Sequence, residues 1–374
     1  MRIAYIINSL RKSGPVNVLY NIVTHLPAGQ YDLHIIKLSE DEADRSITDR
    51  FEDLGIKVWP LHCCKMELEM HTGKVAKAVS QIVDRISPDI IHTHGYHPAL
   101  IAAHLQQCPR IETLHCICWE DFIYSKGLLL GKWMIFRYVR ALRRLDGYAC
   151  ISDAVRSAYE WKGLRQDKLW TAPNGCDDNL FCPLDAPQKQ ALRKTLGLPE
   201  AEKLFTVVGS LSLRKDCLTV VRAFANANLD GKASLVFVGK GSLMEQCRRE
   251  AAGHENILFT GFQMNANDYL KAADWSICAS HSEGFGLNFV EALLCGIPVI
   301  GTNIPPFREF TAYAPELRSL EFSPGNTAGL TDSILRSLTT DIDMTRIRES
   351  IIERYSARRM GEHYANIYHR VIGS

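Results

Sequence analysis

The segment Glu283-Gly-Phe-Gly-Leu-Asn-Phe-Val-Glu291 places a carboxylate at each end of a glycine-containing turn. Glycine lets a backbone turn tightly and approach a ligand closely. A helix opening near Leu287 offers unpaired N–H groups and the positive end of its dipole, which suits a phosphate. Glu291 falls four residues after Leu287, one turn in and on the same face. Its carboxylate can accept hydrogen bonds from two hydroxyls, as from a ribose diol, and Glu283 can hold hydroxyls of a second sugar. A bare Gly-x-Gly is more often a plain strand–helix turn; the flanking acids favour a ligand site. A second candidate is Val208-Gly-Ser-Leu-Ser-Leu-Arg-Lys-Asp216. The adjacent cations Arg214 and Lys215 suit a diphosphate, Lys as a point charge and Arg as a planar fork. Away from the first motif, they read equally well as a solvated surface pair.

Two further stretches carry chemistry-bearing residues. Ile91-His-Thr-His-Gly-Tyr-His97 puts His92 and His94 on one strand face, and Thr113-Leu-His-Cys116 adds His115. With His97, Cys116 and Cys118 these are metal-ligand types, yet the carboxylates and spacings of a metal site are missing, so no metal is expected. His115 reads best as lining a cleft and bonding substrate; a buried structural imidazole is the alternative for each histidine. Arg11-Lys-Ser-Gly-Pro15 precedes a helix and can present N–H groups to an anion. It lacks the GxGxxG pattern of a nicotinamide site.

Short apolar runs alternating with helix-period segments must position these loops, a pattern of repeated βα units and parallel sheets. Strands are expected at 3–8, 31–38, 57–62, 89–94, 110–115, 147–152 and 169–173, then at 203–209, 234–239, 256–260, 275–279, 297–301 and 318–322. Helices are expected at 16–26, 72–86, 153–162, 216–228, 241–252, 287–295 and 326–338. Residues 182–200 hold three prolines and no strand, and read as the connection between two α/β domains. The domains expected are 1–182 and 183–355, with a charged C-terminal helix over 356–374 packing back on the first. Ligands of doubly wound sheets bind at the carboxyl ends of the strands, here in a cleft between two such sheets.

The 374 residues suffice for two cores, and 46% hydrophobic with 23% charged residues is ordinary globular composition. Lys and Arg number 43 against 42 Asp and Glu, for a net charge of +1, which argues against a general nucleic-acid binder. Most of the 12 cysteines with no CxxC pair sit in apolar runs, the usage of a reducing compartment. With no signal-peptide pattern and no long apolar stretch, a cytoplasmic protein is expected. Residues 126–145 carry six basic residues and no acid, interleaved with Trp133, Phe136 and Tyr138. Such a segment can lie on an anionic bilayer, so a peripheral membrane contact stands beside a core-packed helix with a solvated face.

Phe205-Thr-Val-Val-Gly-Ser-Leu-Ser-Leu-Arg-Lys215, the Glu283–Glu291 segment with Gly296-Ile-Pro-Val after it, and Pro173-Asn-Gly-Cys-Asp177 together resemble the retaining glycosyltransferases of family four. Asp89-Ile-Ile-His-Thr-His94 and Thr113-Leu-His115 fit that family's first domain. The resemblance implies a GT-B fold, a UDP- or GDP-type sugar donor held mainly by the second domain, a carbohydrate or lipid-linked acceptor held mainly by the first, and transfer with retention without a metal. It implies catalytic roles for His115, Glu283 and Lys215. It implies donor contacts from Gly14, Ser210, Arg214, Lys215, Glu283, Gly284, Phe285, Gly286, Leu287, Asn288 and Glu291. The family often has Arg where this chain has Ser210; Arg214 can replace it. The N-terminal loop often carries two glycines, whereas Ser13 and Pro15 flank Gly14 here. The other classes considered are an epimerase or phosphorylase on the same architecture and a non-catalytic sugar-nucleotide-binding subunit.

Overall fold

Strands covered on both faces read as unbroken apolar runs and pair in parallel, with helices as crossovers. Ile3-Ala-Tyr-Ile-Ile7 is such a run, with all five residues buried. The computed structural model describes residues 1–42, 45–200 and 203–373. It divides into two compact units, Met1–Gly175 with the C-terminal stretch from Ala357, and Cys176–Ser356.

The first unit contains β1 (Arg2–Ile7), β2 (Asp32–Lys37), β3 (Lys57–Pro60), β4 (Ile90–His94), β5 (Arg110–Leu114), β6 (Gly147–Cys150) and β7 (Leu169–Thr171). They form one parallel sheet in the order β3-β2-β1-β4-β5-β6-β7. The second unit contains β8 (Lys203–Val208), β9 (Ala233–Val238), β10 (Ile257–Gly261), β11 (Trp275–Cys278) and β12 (Val299–Gly301), parallel in the order β10-β9-β8-β11-β12. In both sheets the first strand of the unit has its sequence successor on one side and a later strand on the other. That creates a switch point between β1 and β4, and another between β8 and β11, where ligands of open α/β sheets bind.

Three expectations need correction. Residues 318–322 are not a strand: Pro315–Leu320 is a 3-10 helix, and Phe322 makes only an isolated bridge to Thr302. The buried Leu317, Leu320 and Phe322 gave the segment its apolar look. Residues 182–200 are not a bare connection. They contain a helix, Ala186–Thr195, opened by a reciprocal cap between Asp185 and Gln188, with a proline in its first turn where no backbone donor is lost. Arg193 of this helix is buried and bonds Asp274 at 2.7 Å. The boundary accordingly falls at 175/176 rather than 182/183. The Cys176 N–H donates to the Tyr355 carbonyl, and Cys176 bridges Ser356 within the second unit.

The charged tail is two helices, Met344–Tyr355 and Ala357–Gly373, separated by extended backbone at Ser356; Ser374, the end of the expected helix, lies outside the described residues. The first stays with the second unit, where Arg348 Nε donates to the Leu294 carbonyl at 2.8 Å. The second lies against the helix Gly14–His25 in the first unit. Gly361 makes this approach possible: a Cβ there would sit 2.3 Å from the His25 carbonyl oxygen. Tyr364 and Tyr368 of this helix are fully buried, and their hydroxyls bond Thr113 and His92. A backbone carbonyl cannot yield as a flexible side chain can. Gly361→Val should therefore destabilise the first unit by about 3 kcal/mol, measured by urea unfolding, while Gly373→Val, with no neighbour around its position, leaves the midpoint unchanged.

Candidate functional site

At the switch point of the second sheet, the loop after β8 meets the loop after β11. Glu283 is buried, and its Oε2 lies 2.7 Å from Arg214 Nη1 while its Oε1 lies 2.5 Å from Lys215 Nζ. Ser280 Oγ donates to Oε1 at 2.8 Å, and Thr302 Oγ1 donates to the Ser280 carbonyl at 2.8 Å. The backbones are joined as well: the His281 N–H donates to the Arg214 carbonyl, and Arg214 Nη1 donates to the Ser282 carbonyl, both at 2.8 Å. Burial alone would raise the Glu283 carboxyl, but Lys215 and Arg214 outweigh it and hold the pKa at about 2. Two cations and one carboxylate leave a net positive charge.

The motif residues divide by role. Gly286 caps the helix Leu287–Leu294 in the left-handed region, at φ 106°, and a Cβ there would meet Phe307 at 2.4 Å. The Phe285 side chain is core rather than ligand-facing: it is buried against Phe310 and Tyr355, which leaves only its backbone for a donor. Leu287 opens the helix, and Glu291 is half-buried in its second turn. Asn288 Nδ2 donates to the Val208 carbonyl at 3.3 Å, while its Oδ1 is buried without a partner. Ser210 is exposed in the loop after β8. The interior space between the ends of β8 and β11 is only about 10 Å³, enough for one water, so a donor would lie over this floor. Glu283, read from sequence as holding sugar hydroxyls, has both carboxylate oxygens engaged by the cations.

Sequence reasoning did not assign Ser280 and Thr302, which brace Glu283, and it pointed to the loop around 239–241 as one that sets donor choice without assigning its glycines a role. A Cβ on Gly239 would sit 1.9 Å from the Gly209 carbonyl oxygen, and one on Gly241 2.0 Å from that of Leu211. The doublet Gly239-Lys-Gly241, following a strand, was the available signal.

At the switch point of the first sheet, a cavity of about 280 Å³ is lined by residues after β1 and β4 together with His115, Cys116, Phe122 and Tyr138. His115 Nε2 lies 2.9 Å from His94 Nδ1. His92 has both ring nitrogens engaged, with Thr113 at 2.8 Å and Tyr368 at 2.9 Å, so it is a structural imidazole. His97 pairs with Glu69 at 3.0 Å. Burial lowers His92 and His115 to about 3 and His94 well below its ordinary value, so all three are neutral at physiological pH. Glu112 beneath them accepts from Gly95 N at 3.0 Å, from Tyr138 OH at 2.7 Å and from Thr93; burial raises it to about 8. Gly14, expected on the donor side, is exposed at the start of its helix and has no positive φ, so its conformation does not require glycine. The loop before it is pinned by Asp41, whose Oδ1 accepts from the Leu10 N–H at 2.7 Å.

Two family models match: "Glycosyltransferase Family 4" over residues 12–180 and "Glycosyl transferases group 1" over 188–354. An O-antigen biosynthesis glycosyltransferase, WclY of Escherichia coli, is 26% identical over 99% of both chains. An alpha-monoglucosyldiacylglycerol synthase of Streptococcus pneumoniae is 29% identical over 77% of this chain and 68% of its own. The crystal structure of Anabaena HepE in complex with UDP-glucose superposes with a TM-score of 0.81 at 18% identity, covering 99% of this chain and 100% of that one, a likeness of fold. Structures of this kind have the GT-B fold of two parallel-sheet α/β domains.

Removing the Glu283 charge takes the counter-charge away from two cations on a partly dry floor. Glu283→Gln should cost about 3 kcal/mol at pH 7. The folded carboxyl lies below its ordinary value of 4.5, so its stabilisation is complete above that pH and lost as pH falls toward about 2. The stability gap between wild type and Glu283→Gln should narrow across that window in urea unfolding at stepped pH.

Proposed function

This chain belongs to the group 1 glycosyltransferases of the family 4 type, and from that premise we propose that it moves a hexose-type sugar from a UDP- or GDP-type nucleotide sugar to a glycan, polysaccharide or lipid-linked acceptor, with retention at the anomeric carbon. The observation that carries this reading is the meeting of Arg214, Lys215, Glu283 and the first turn of the helix Leu287–Leu294 at one switch point. The printed names of the relatives support the substrate classes: O-antigen biosynthesis for one, a diacylglycerol glycolipid for another, and UDP-glucose bound to a protein of the same fold.

In this reading the diphosphate lies over the ionic floor. As the anomeric bond breaks, negative charge grows on the leaving phosphate, and Lys215, Arg214 and the helix amides stabilise it without reorganising. Glu283 acts as a positioning residue that keeps both cations in place. Glu291 takes the ribose hydroxyls, and Asn288 Oδ1 is available to accept from a donor group. The acceptor hydroxyl attacks from the face the phosphate leaves, and the phosphate takes its proton; because Lys215, Arg214 and the helix amides carry the leaving charge, the reaction requires no metal ion. Neutral His115, in the first unit, hydrogen-bonds the acceptor side.

The helix Leu128–Leu142 supports a peripheral site on the cytoplasmic face of a membrane. Leu129 is 86% exposed and Phe136 64%, with Leu128, Leu130 and Trp133 also exposed, beside Lys132, Arg140, Arg143 and Arg144. No helix among the described residues is long and apolar enough to cross a membrane.

Release of nucleoside diphosphate from a panel of UDP-, GDP- and ADP-sugars, with and without glycan acceptors, tests the activity; no turnover with any donor would contradict it. Lys215→Ala should lower kcat/KM about a hundredfold, and Glu291→Ala should raise the donor KM, in both cases without unfolding. His115→Ala should lower kcat while donor binding holds. The protein should sediment with anionic vesicles at low salt and be released by Leu129→Glu combined with Phe136→Glu; indifference to such vesicles would remove the membrane contact.

A further inference from the structure

All twelve cysteines are free thiols, and two of them face each other across neighbouring helices of the second unit. Cys217 is the first residue of the helix Cys217–Asn226, and Cys247 lies on the helix Met244–Glu250. The Cys247 thiol donates to Cys217 Sγ at 3.3 Å, and both residues are buried at 1% exposure or less. Arg222 and Glu250 tie the same two helices together through bonds of 3.0 and 2.7 Å, so the sulfurs are held in register. The transfer described above uses neither thiol.

The two sulfurs are not equivalent. The bond from Cys247 lowers the Cys217 thiol below its ordinary value, and the same bond together with burial raises Cys247. Cys217 also opens its helix, where the positive end of the dipole favours a thiolate. An attacking thiolate beside a second thiol that can resolve it is what a dithiol needs to close into a disulfide. Cys217 lines the small space between the ends of β8 and β11 together with the exposed Ser210. A space of about 10 Å³ admits a reagent little larger than water and not a bulky disulfide.

We propose that Cys217 and Cys247 form a modification site, a dithiol that hydrogen peroxide converts to a disulfide. The Cys217 thiolate attacks one peroxide oxygen and the O–O bond breaks. The departing hydroxide takes up the proton that Cys217 gave up, and Cys217 becomes a sulfenic acid. The Cys247 sulfur then attacks the Cys217 sulfur. The S–O bond breaks as the S–S bond forms, and the second hydroxide takes the Cys247 proton. Two thiols lose two electrons, and one peroxide becomes two waters.

The new bond acts beside the cationic floor. To form it, the sulfurs must approach by about 1 Å more. Cys217 is joined through Asp216 to Lys215 and Arg214. Asp216 sits in the left-handed region at φ 48°; its Oδ2 accepts from the Gly325 N–H at 3.1 Å and lies 3.3 Å from His281 Nε2. This braced turn passes a pull on Cys217 along to Lys215 instead of absorbing it, so the disulfide weakens donor binding. That consequence rests on the transferase reading above; the bond itself does not.

The full chain, treated with hydrogen peroxide, alkylated and digested with trypsin without reduction, tests the site. Fragments Asp216–Arg222 and Gly241–Arg248 should appear joined, lighter than their sum by two hydrogens, and should separate on treatment with dithiothreitol. The exposed Cys64 reports that the oxidant acted. Cys247→Ala should abolish the joined pair and leave Cys217 as a sulfenic acid that dimedone traps. Oxidation should raise the KM for the nucleotide sugar about tenfold, reversibly, and should not do so in Cys247→Ala. If Cys247→Ala fails to fold, the joined fragments of the unsubstituted chain decide alone. Oxidised Cys64 without joined fragments, or Cys217 carried to a sulfinic acid beside an intact Cys247 thiol, would overturn the site. Joined fragments with an unchanged KM would overturn the effect on donor binding. Joined fragments in a protein that turns over no nucleotide sugar would keep the site and remove the transferase reading.

Discussion

A single buried carboxylate between two cations ties together the loops at the second unit's switch point. Arg214 and Lys215 are adjacent in sequence and would repel each other at a strand end. Glu283 reaches them from another loop and makes both stay. Burying that carboxylate is costly, and the cost is met by two ion pairs and the Ser280 hydroxyl. The floor stays cationic by one charge, fixed before any ligand arrives. The helix tip at Leu287 then sits beside it because Gly286 takes a left-handed conformation that a side chain there would block against Phe307.

The first unit uses the same topology with opposite electrostatics. Its switch point is walled mainly by imidazoles and phenols, and its one cation, Arg11, is paired with Glu42. His92 is tied to Thr113 and Tyr368, Tyr368 to Tyr5, and Thr113 to Tyr364, so the C-terminal helix is part of what keeps these rings in register. Burial keeps the histidines neutral, and Glu112 is held by three donors below them. A cationic floor suits a diphosphate, and a neutral polar wall suits hydroxyls. The difference between the two sheets is consistent with the proposed division between donor and acceptor.

Alternation of apolar runs with helical periods was enough to place twelve of the strands, because parallel strands buried on both faces leave a strong local signal. It misled at 318–322, where a 3-10 helix buries the same apolar residues, and at 182–200, where prolines open a helix instead of breaking one. The paired motifs at 214–215 and 283–291 were legible as residues that belong to one site. Their mutual neutralisation was not, since sequence gives types and spacing but not which charges end up 2.5 Å apart. Phe285 shows the same gap: a motif residue whose side chain faces the core.

The most direct test is to observe the floor while an anion binds. With glycine and leucine selectively labelled for amide NMR, addition of UDP or GDP should shift Gly209, Gly284, Gly286 and Leu287, whereas the corresponding nucleoside without phosphates should leave Gly286 and Leu287 in place. Diphosphate binding that leaves these amides unmoved, with changes confined to other parts of the chain, would contradict the account.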